Sequence, residues 1–149
     1  MRMLKDILGE VSVLFSYPKH LIILGARIVL AYGFAKPALL KLNDMTATAA
    51  WFYELSIPFP TLLAYLVTGI EVVGIVLLIL GLFTRQISVL LSFVMIGAML
   101  FVHGQHGYSI ADNGIEIPLY YLLFLMLFAT FGAGKYALDN VLFKDGNDE

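Results

Sequence analysis

The sequence predicts an all-α integral membrane protein, a four-helix bundle crossing the bilayer, with an N-terminal amphipathic helix lying in the interface. Three observations lead there. The 149 residues are 60% hydrophobic and 13% charged, against roughly 45–50% apolar and about 25% charged in soluble domains. Four apolar runs recur along the chain, separated by short polar, Gly- or Pro-containing connections. The most apolar run, residues 61–83 (TLLAYLVTGIEVVGIVLLILGLF), is long enough at 1.5 Å per residue for the roughly 30 Å hydrocarbon core of a bilayer. It carries one carboxylate, Glu71, near its centre. A charge at that depth costs about 2.5–3.5 kcal/mol on insertion scales, so Glu71 should face protein or water and have a partner.

The composition also excludes function classes. A net charge of −2 with dispersed basic residues does not suit a nucleic-acid surface. The absence of cysteine removes a disulfide framework, a CxxC redox pair, thiolate-held iron–sulfur or zinc, and a cysteine nucleophile. The length permits one domain. It divides into an interfacial helix (residues 1–18), a membrane domain (19–139) and a polar tail (140–149). The first fifteen residues carry Asp6 and Glu10 and no small-residue cleavage site, so no secretory signal is expected.

Each element has its reason. Met3, Leu4, Ile7, Leu8, Val11, Leu14 and Phe15 fall at helical spacing, with Arg2, Lys5, Asp6 and Glu10 elsewhere around the wheel. That pattern predicts a helix in the membrane surface, ended by Pro18. The first span, residues 20–40, contains Arg27 and Lys36, nine residues apart and therefore on opposite sides of the helix. Lys36 sits about one turn from the end and has snorkelling to the headgroups as its alternative. Arg27 is deeper, about 12 Å from its near end, and is expected to face the bundle. In the connection 41–60, Asn43-Asp44 offers a helix cap, and Trp51, Phe52 and Tyr53 suit an interfacial aromatic belt on a short re-entrant or surface helix.

On the second span, Glu71, Gly74, Leu78 and Gly81 share about 80° of arc, and the glycines allow a close helix approach. Glu71 lies about 18 Å from its end of the span, so an antiparallel neighbour would bring Arg27 within about 6 Å of its level. An Arg27–Glu71 pair is the expectation; Lys36 or water is the alternative partner. The third span, residues 87–102, puts Ser88, Ser92, Met95, Met99 and His103 on one face. Two methionines below His103 and His106 suit a soft metal. Packing serines and methionines with histidines at the water boundary is the better reading, because Gly104 and Gly107 should end the helix between the two histidines, so no metal site is expected. The fourth span, residues 117–131, is short and needs residues 132–136 or local membrane thinning to cross. Gly132-Ala133-Gly134 then breaks it.

Four spans put both termini on one side. That side carries Arg2, Lys5, Lys19, Arg85, Lys135 and Lys144; the other carries Lys41, with Lys36 near a helix end. The positive-inside rule then predicts cytoplasmic termini in a bacterial inner membrane, with residues 103–116 outside.

Several segments resemble a known family: RIVLAYGFAK (Arg27, Gly33, Lys36), EVVGIVLLILGLFTR (Glu71, Gly74, Gly81, Arg85), FVHG (His103, Gly104) and GAGKYALD (Gly132, Tyr136, Asp139). In order and spacing, over about residues 21–139, they resemble the DoxX family of small four-helix membrane proteins. The resemblance implies that fold. It also implies an association with membrane oxidoreductase systems, the family being named for a small subunit linked to a thiosulfate:quinone oxidoreductase.

Three functional readings follow. The first is a redox-associated membrane subunit. A quinone headgroup would be its small-molecule cofactor and a membrane or peripheral oxidoreductase subunit its partner. A quinone site needs aromatic walls and donors near the membrane surface; His103, Tyr108, Tyr120 and Tyr121, with Lys36, are the candidates at the outer end. The sequence shows no haem or flavin signature. The second is a small solute or proton carrier or a subunit of one, since buried charges also mark such paths and four spans usually line a path as an oligomer, here a homo-oligomer. The third is a non-enzymatic scaffold or assembly factor using its glycine faces. Bound quinone favours the first, flux in liposomes the second, and a crosslinked partner the third.

Overall fold

The computed structural model describes residues 2–143. The acidic end of the tail, 144–149 with Lys144, lies outside the described residues, as do Met1 and the side chains of Arg2, Met3, Asp6, Ser12, Phe15 and Ser16. The described residues are helical and contain no β-strand. Helix α1 (Arg2–Ser16) is followed by a two-residue turn at Tyr17-Pro18. Its described apolar side chains Leu4, Ile7, Leu8, Val11 and Leu14 are all exposed, an apolar stripe without cover.

Helix α2 (Lys19–Asn43) runs three residues beyond the expected end, through Pro37, and so carries Lys41 on its last turn. Asp44 then breaks the chain and caps the short helix α3 (Met45–Glu54), its carboxylate accepting from Ala47 N at 2.9 Å. Helix α3 is not a detached anchor. It packs on the next helix and buries Thr48 and Phe52, leaving Trp51 and Tyr53 exposed.

Helix α4 (Pro60–Leu80) starts with proline at a first-turn position, where its missing N–H costs nothing, and stops at Gly81 in the left-handed region (φ +68°). Helix α5 (Thr84–Gly97) does not stop at Gly104 as expected. It widens into a π-helical segment, Ala98–His103, and tightens into a 3-10 turn, Gly104–His106, before Gly107 ends it. The rod Thr84–His106 is therefore 23 residues long. Helix α6 (Glu116–Phe131) has 16 residues, about 24 Å of rise. The extension toward Tyr136 is not helical, because Gly132 takes φ +78° and turns the chain back; a short α7 (Leu138–Leu142) follows.

Three of these helices, α2, α4 and the α5 rod, are long and apolar enough to cross a membrane. They form a helical bundle in which α2 packs on α4, α4 on α5, and α5 on α6. Leu30, Phe34, Leu78, Leu91, Leu125 and Phe128 fill the centre. Lipid tails are as apolar as leucine, so close packing rather than exclusion from water holds such helices together. Gly74 shows how: a Cβ there would stand 2.9 Å from Leu91 Cδ1, so a larger residue would have to push Leu91 aside where α4 and α5 meet. Ala31, Ala38 and Ala64, all fully buried, make the same allowance between α2 and α4.

Candidate functional site: a carboxylate-floored cavity at the loop end of the bundle

The two ends of the bundle use buried charge differently. At the tail end α2 begins and the chain returns after α6. There Arg27 is 1% exposed and donates to three carbonyls: Ala133 O at 2.8 Å, Tyr136 O at 2.9 Å and Ile79 O at 3.4 Å. It holds the 133–136 loop against the end of α4. Gly81 makes room for it, since a Cβ there would collide with the guanidinium. Asp139 completes the knot. Its Oδ1 accepts from Phe83 N (2.7 Å) and its Oδ2 from Thr84 N (2.9 Å), capping α5, while its own N–H donates to Gly81 O (2.9 Å). Phe83 sits in the left-handed region (φ 48°), a strained conformation for phenylalanine that these bonds hold in place.

At the other end, the loop end, Glu71 meets Lys41. The ammonium lies 2.6 Å from Oε1 and 2.5 Å from Oε2, in hydrogen-bond geometry with the first alone. The carboxylate side chain is 3% exposed and the lysine 16%. The expected Arg27–Glu71 pair is therefore not formed. Each group finds its partners at its own end, Arg27 among carbonyl oxygens and Glu71 on Lys41, a residue that the sequence reading had assigned to a loop. Lys36, the alternative partner, is exposed on the outer face of α2, so the expected buried set of Arg27, Lys36 and Glu71 does not converge.

Glu71 forms part of the wall of a cavity of about 340 Å³. Phe34, Trp51 and Tyr121 supply aromatic walls, Met95, Ala98 and Val102 one side, and the Asn113-Gly114 turn the rim. Phe34 and Tyr121 meet at 5.3 Å in a tilted arrangement, and the Tyr121 hydroxyl is seated against Gly33. His103 lines the cavity too, placed by the π-helical segment. Its Nδ1 lies 2.7 Å from Asn113 O. A carbonyl only accepts, so Nδ1 carries the hydrogen and Nε2 is the free acceptor in the neutral ring. The π-helix spaces its backbone hydrogen bonds five rather than four residues apart, a distortion that recurs at functional sites.

Of the four outer-end candidates, His103 and Tyr121 line the cavity. Tyr108 and Tyr120 do not: their hydroxyls lie 3.5 Å apart on the exposed surface, and Tyr120 donates to Glu116 at 3.0 Å. The sequence reading missed Lys41 because it ended α2 at Leu40, and missed Trp51 as a wall because it sent that helix to the interface. It missed the capping role of Asp139, for which the turn residues Gly132 and Gly134 were an available signal.

The DoxX family model matches residues 22–104, which include Arg27, Lys41, Glu71 and His103. The chain belongs to the DoxX family. Two uncharacterized proteins of Haemophilus influenzae are similar. One is 34% identical over 79% of this chain and 81% of its own length. The other is 50% identical over 53% of this chain and 62% of its own length. A Bacillus subtilis protein named "Putative oxidoreductase CatD" is 31% identical over 79% of this chain and 84% of its own length. No solved structure matches the chain significantly.

Proposed function

We propose that this DoxX membrane protein is a redox-associated subunit whose loop-end cavity holds a quinone headgroup. The observation that carries the reading is the convergence of Glu71 and His103 with three aromatic walls, Phe34, Trp51 and Tyr121, in one cavity. Its volume, about 340 Å³, falls within the roughly 300–1,000 Å³ of small-molecule sites. A quinone supplies two-electron, two-proton carriage between membrane enzymes. The residues present suit such a ring. Phe34, Trp51 and Tyr121 would stack on it or meet its edge. The Tyr121 hydroxyl is a donor for a carbonyl oxygen, and the free Nε2 of His103 is an acceptor for a hydroquinone hydroxyl. Glu71 gives the cavity a carboxylate, and Lys41 pairs with it without lining the cavity.

The same reading places the chain in a bacterial inner membrane, with α6 as a fourth span, α1 lying in the interface on its uncovered stripe, and the tail end in the cytoplasm. Arg85 and Lys135 at that end support the orientation. The partner is then a membrane or peripheral oxidoreductase subunit. The name of the Bacillus relative favours the same class.

Extraction of protein purified in mild detergent tests the proposal. Retained quinone, near one per chain and reduced in Glu71→Gln, is the expected result. Protein that neither retains nor rebinds quinone sinks the reading.

A further inference from the structure

We infer that the tail end of the bundle carries a binding site for the phosphate of an anionic lipid headgroup. This site goes beyond the quinone reading and does not depend on it. Between the start of α2, the start of α5 and the loop after α6 lies an open groove of about 620 Å³. Its polar wall brings His20, Arg85 and Lys135 together from three separate elements. Asp139 is the carboxylate on the wall, and both of its oxygens already accept backbone N–H groups. Among the described residues, neither the Arg85 guanidinium nor the Lys135 ammonium has a hydrogen bond or an ion pair.

The geometry keeps those donors available. Gly132, with no side chain, lies under Arg85: a Cβ there would stand 3.3 Å from Nε. His20 Nδ1 accepts from Lys135 N at 3.2 Å, which leaves Nε2–H as a further donor. Arginine and lysine together recognise a phosphate as fork and point charge. The rest of the lining says where that phosphate comes from. Phe83, Phe131 and Phe143 border the groove and are 46%, 71% and 58% exposed. The groove also sits where α2 begins at Lys19, α4 ends at Leu80 and α6 ends at Phe131, the level at which apolar helix surface gives way to polar chain. A cationic wall with an aromatic rim at that level fits an amphiphile rather than a free anion.

The test is native mass spectrometry, with melting in detergent, of delipidated full-length protein titrated with phosphatidylglycerol, phosphatidylcholine or inorganic phosphate. One phosphatidylglycerol should bind per chain and raise the melting temperature. Phosphatidylcholine should bind more weakly, and millimolar phosphate should not displace the lipid. The double substitution Arg85→Gln with Lys135→Gln should weaken binding about 30-fold, while Lys36→Gln, which removes an exposed cation on α2 away from this groove, should leave it unchanged. If the double variant does not fold, the two single variants are compared, each expected to lose roughly fivefold, with Arg85→Lys, which keeps the charge but not the fork, losing less than Arg85→Gln. Equal binding of both lipids, full displacement by phosphate, or undiminished binding in the Arg85 and Lys135 variants overturns the site.

Discussion

At the tail end a buried arginine is spent on backbone; at the loop end a buried carboxylate is left facing a cavity. Arg27 has three carbonyl partners in two segments and fills the space between them. Glu71 has one side-chain partner, Lys41, and space beside it. Both residues are ionisable groups inside apolar sequence, and from sequence they look like a matched pair. The difference teaches that a buried charge is read by what surrounds it. A charge whose hydrogen bonds all run to main-chain oxygens acts as a clasp. A charge with one ligand and an adjoining void can act on something that enters.

The sharpest way to break this comparison is to remove each clasp in turn. Arg27→Ala strands three carbonyls and frees the loop after α6, and should cost roughly 3–5 kcal/mol. Urea or thermal unfolding in detergent should show the largest loss of any single variant here. Lys41→Ala leaves the Glu71 carboxylate buried alone, at roughly 3 kcal/mol, and pairing it with Glu71→Leu should recover much of that loss. A double-mutant cycle sharpens the distinction. Lys41 and Glu71 should couple by about 2 kcal/mol, whereas Arg27 and Glu71 should be additive within about 0.5 kcal/mol. Coupling of Arg27 to Glu71 as strong as that of Lys41 would erase the difference between the two ends.

Smaller effects separate cap from charge. Asp139→Ala removes both acceptors that cap α5 and should cost about 1–2 kcal/mol, while Asp139→Asn, which keeps one acceptor oxygen, should cost less. Lys36→Gln should stay within about 0.5 kcal/mol, since the side chain is exposed on α2 and touches neither clasp. A larger loss there would mean that Lys36 is bound to something the isolated chain does not show.

Much of the fold was legible in the sequence because the lipid environment imposes long apolar runs, and those runs are countable. Residues 61–83 mark α4 to within a few residues, and Arg27 and Glu71 had to turn inward at their depths. The partners were less legible. Carbonyl oxygens carry no side-chain signature, so nothing in the sequence announced that Arg27 would bind Ala133 and Tyr136. The apolar run 20–40 suggested that α2 ends near Leu40, but the helix continues to Asn43 and carries Lys41 up to Glu71. Gly104 suggested a stop between the histidines, yet the rod passes through a π-helical turn that delivers His103 to the cavity. The candidate tyrosines divide for a related reason. Tyr120 and Tyr121 are adjacent on α6, so they point about 100° apart and only one can face inward.

The chain has one tryptophan, Trp51, and it stands in the cavity wall beside Phe34 and Tyr121. Its fluorescence therefore reports occupancy directly, and titration with a short-tailed benzoquinone in detergent is the decisive measurement. A ring bound in the cavity gives saturable, one-site quenching of Trp51, weakened about tenfold by His103→Ala. Quenching that rises linearly without saturation, and equally in wild type and His103→Ala, means the ring meets Trp51 only from the micelle and contradicts the assignment of the cavity.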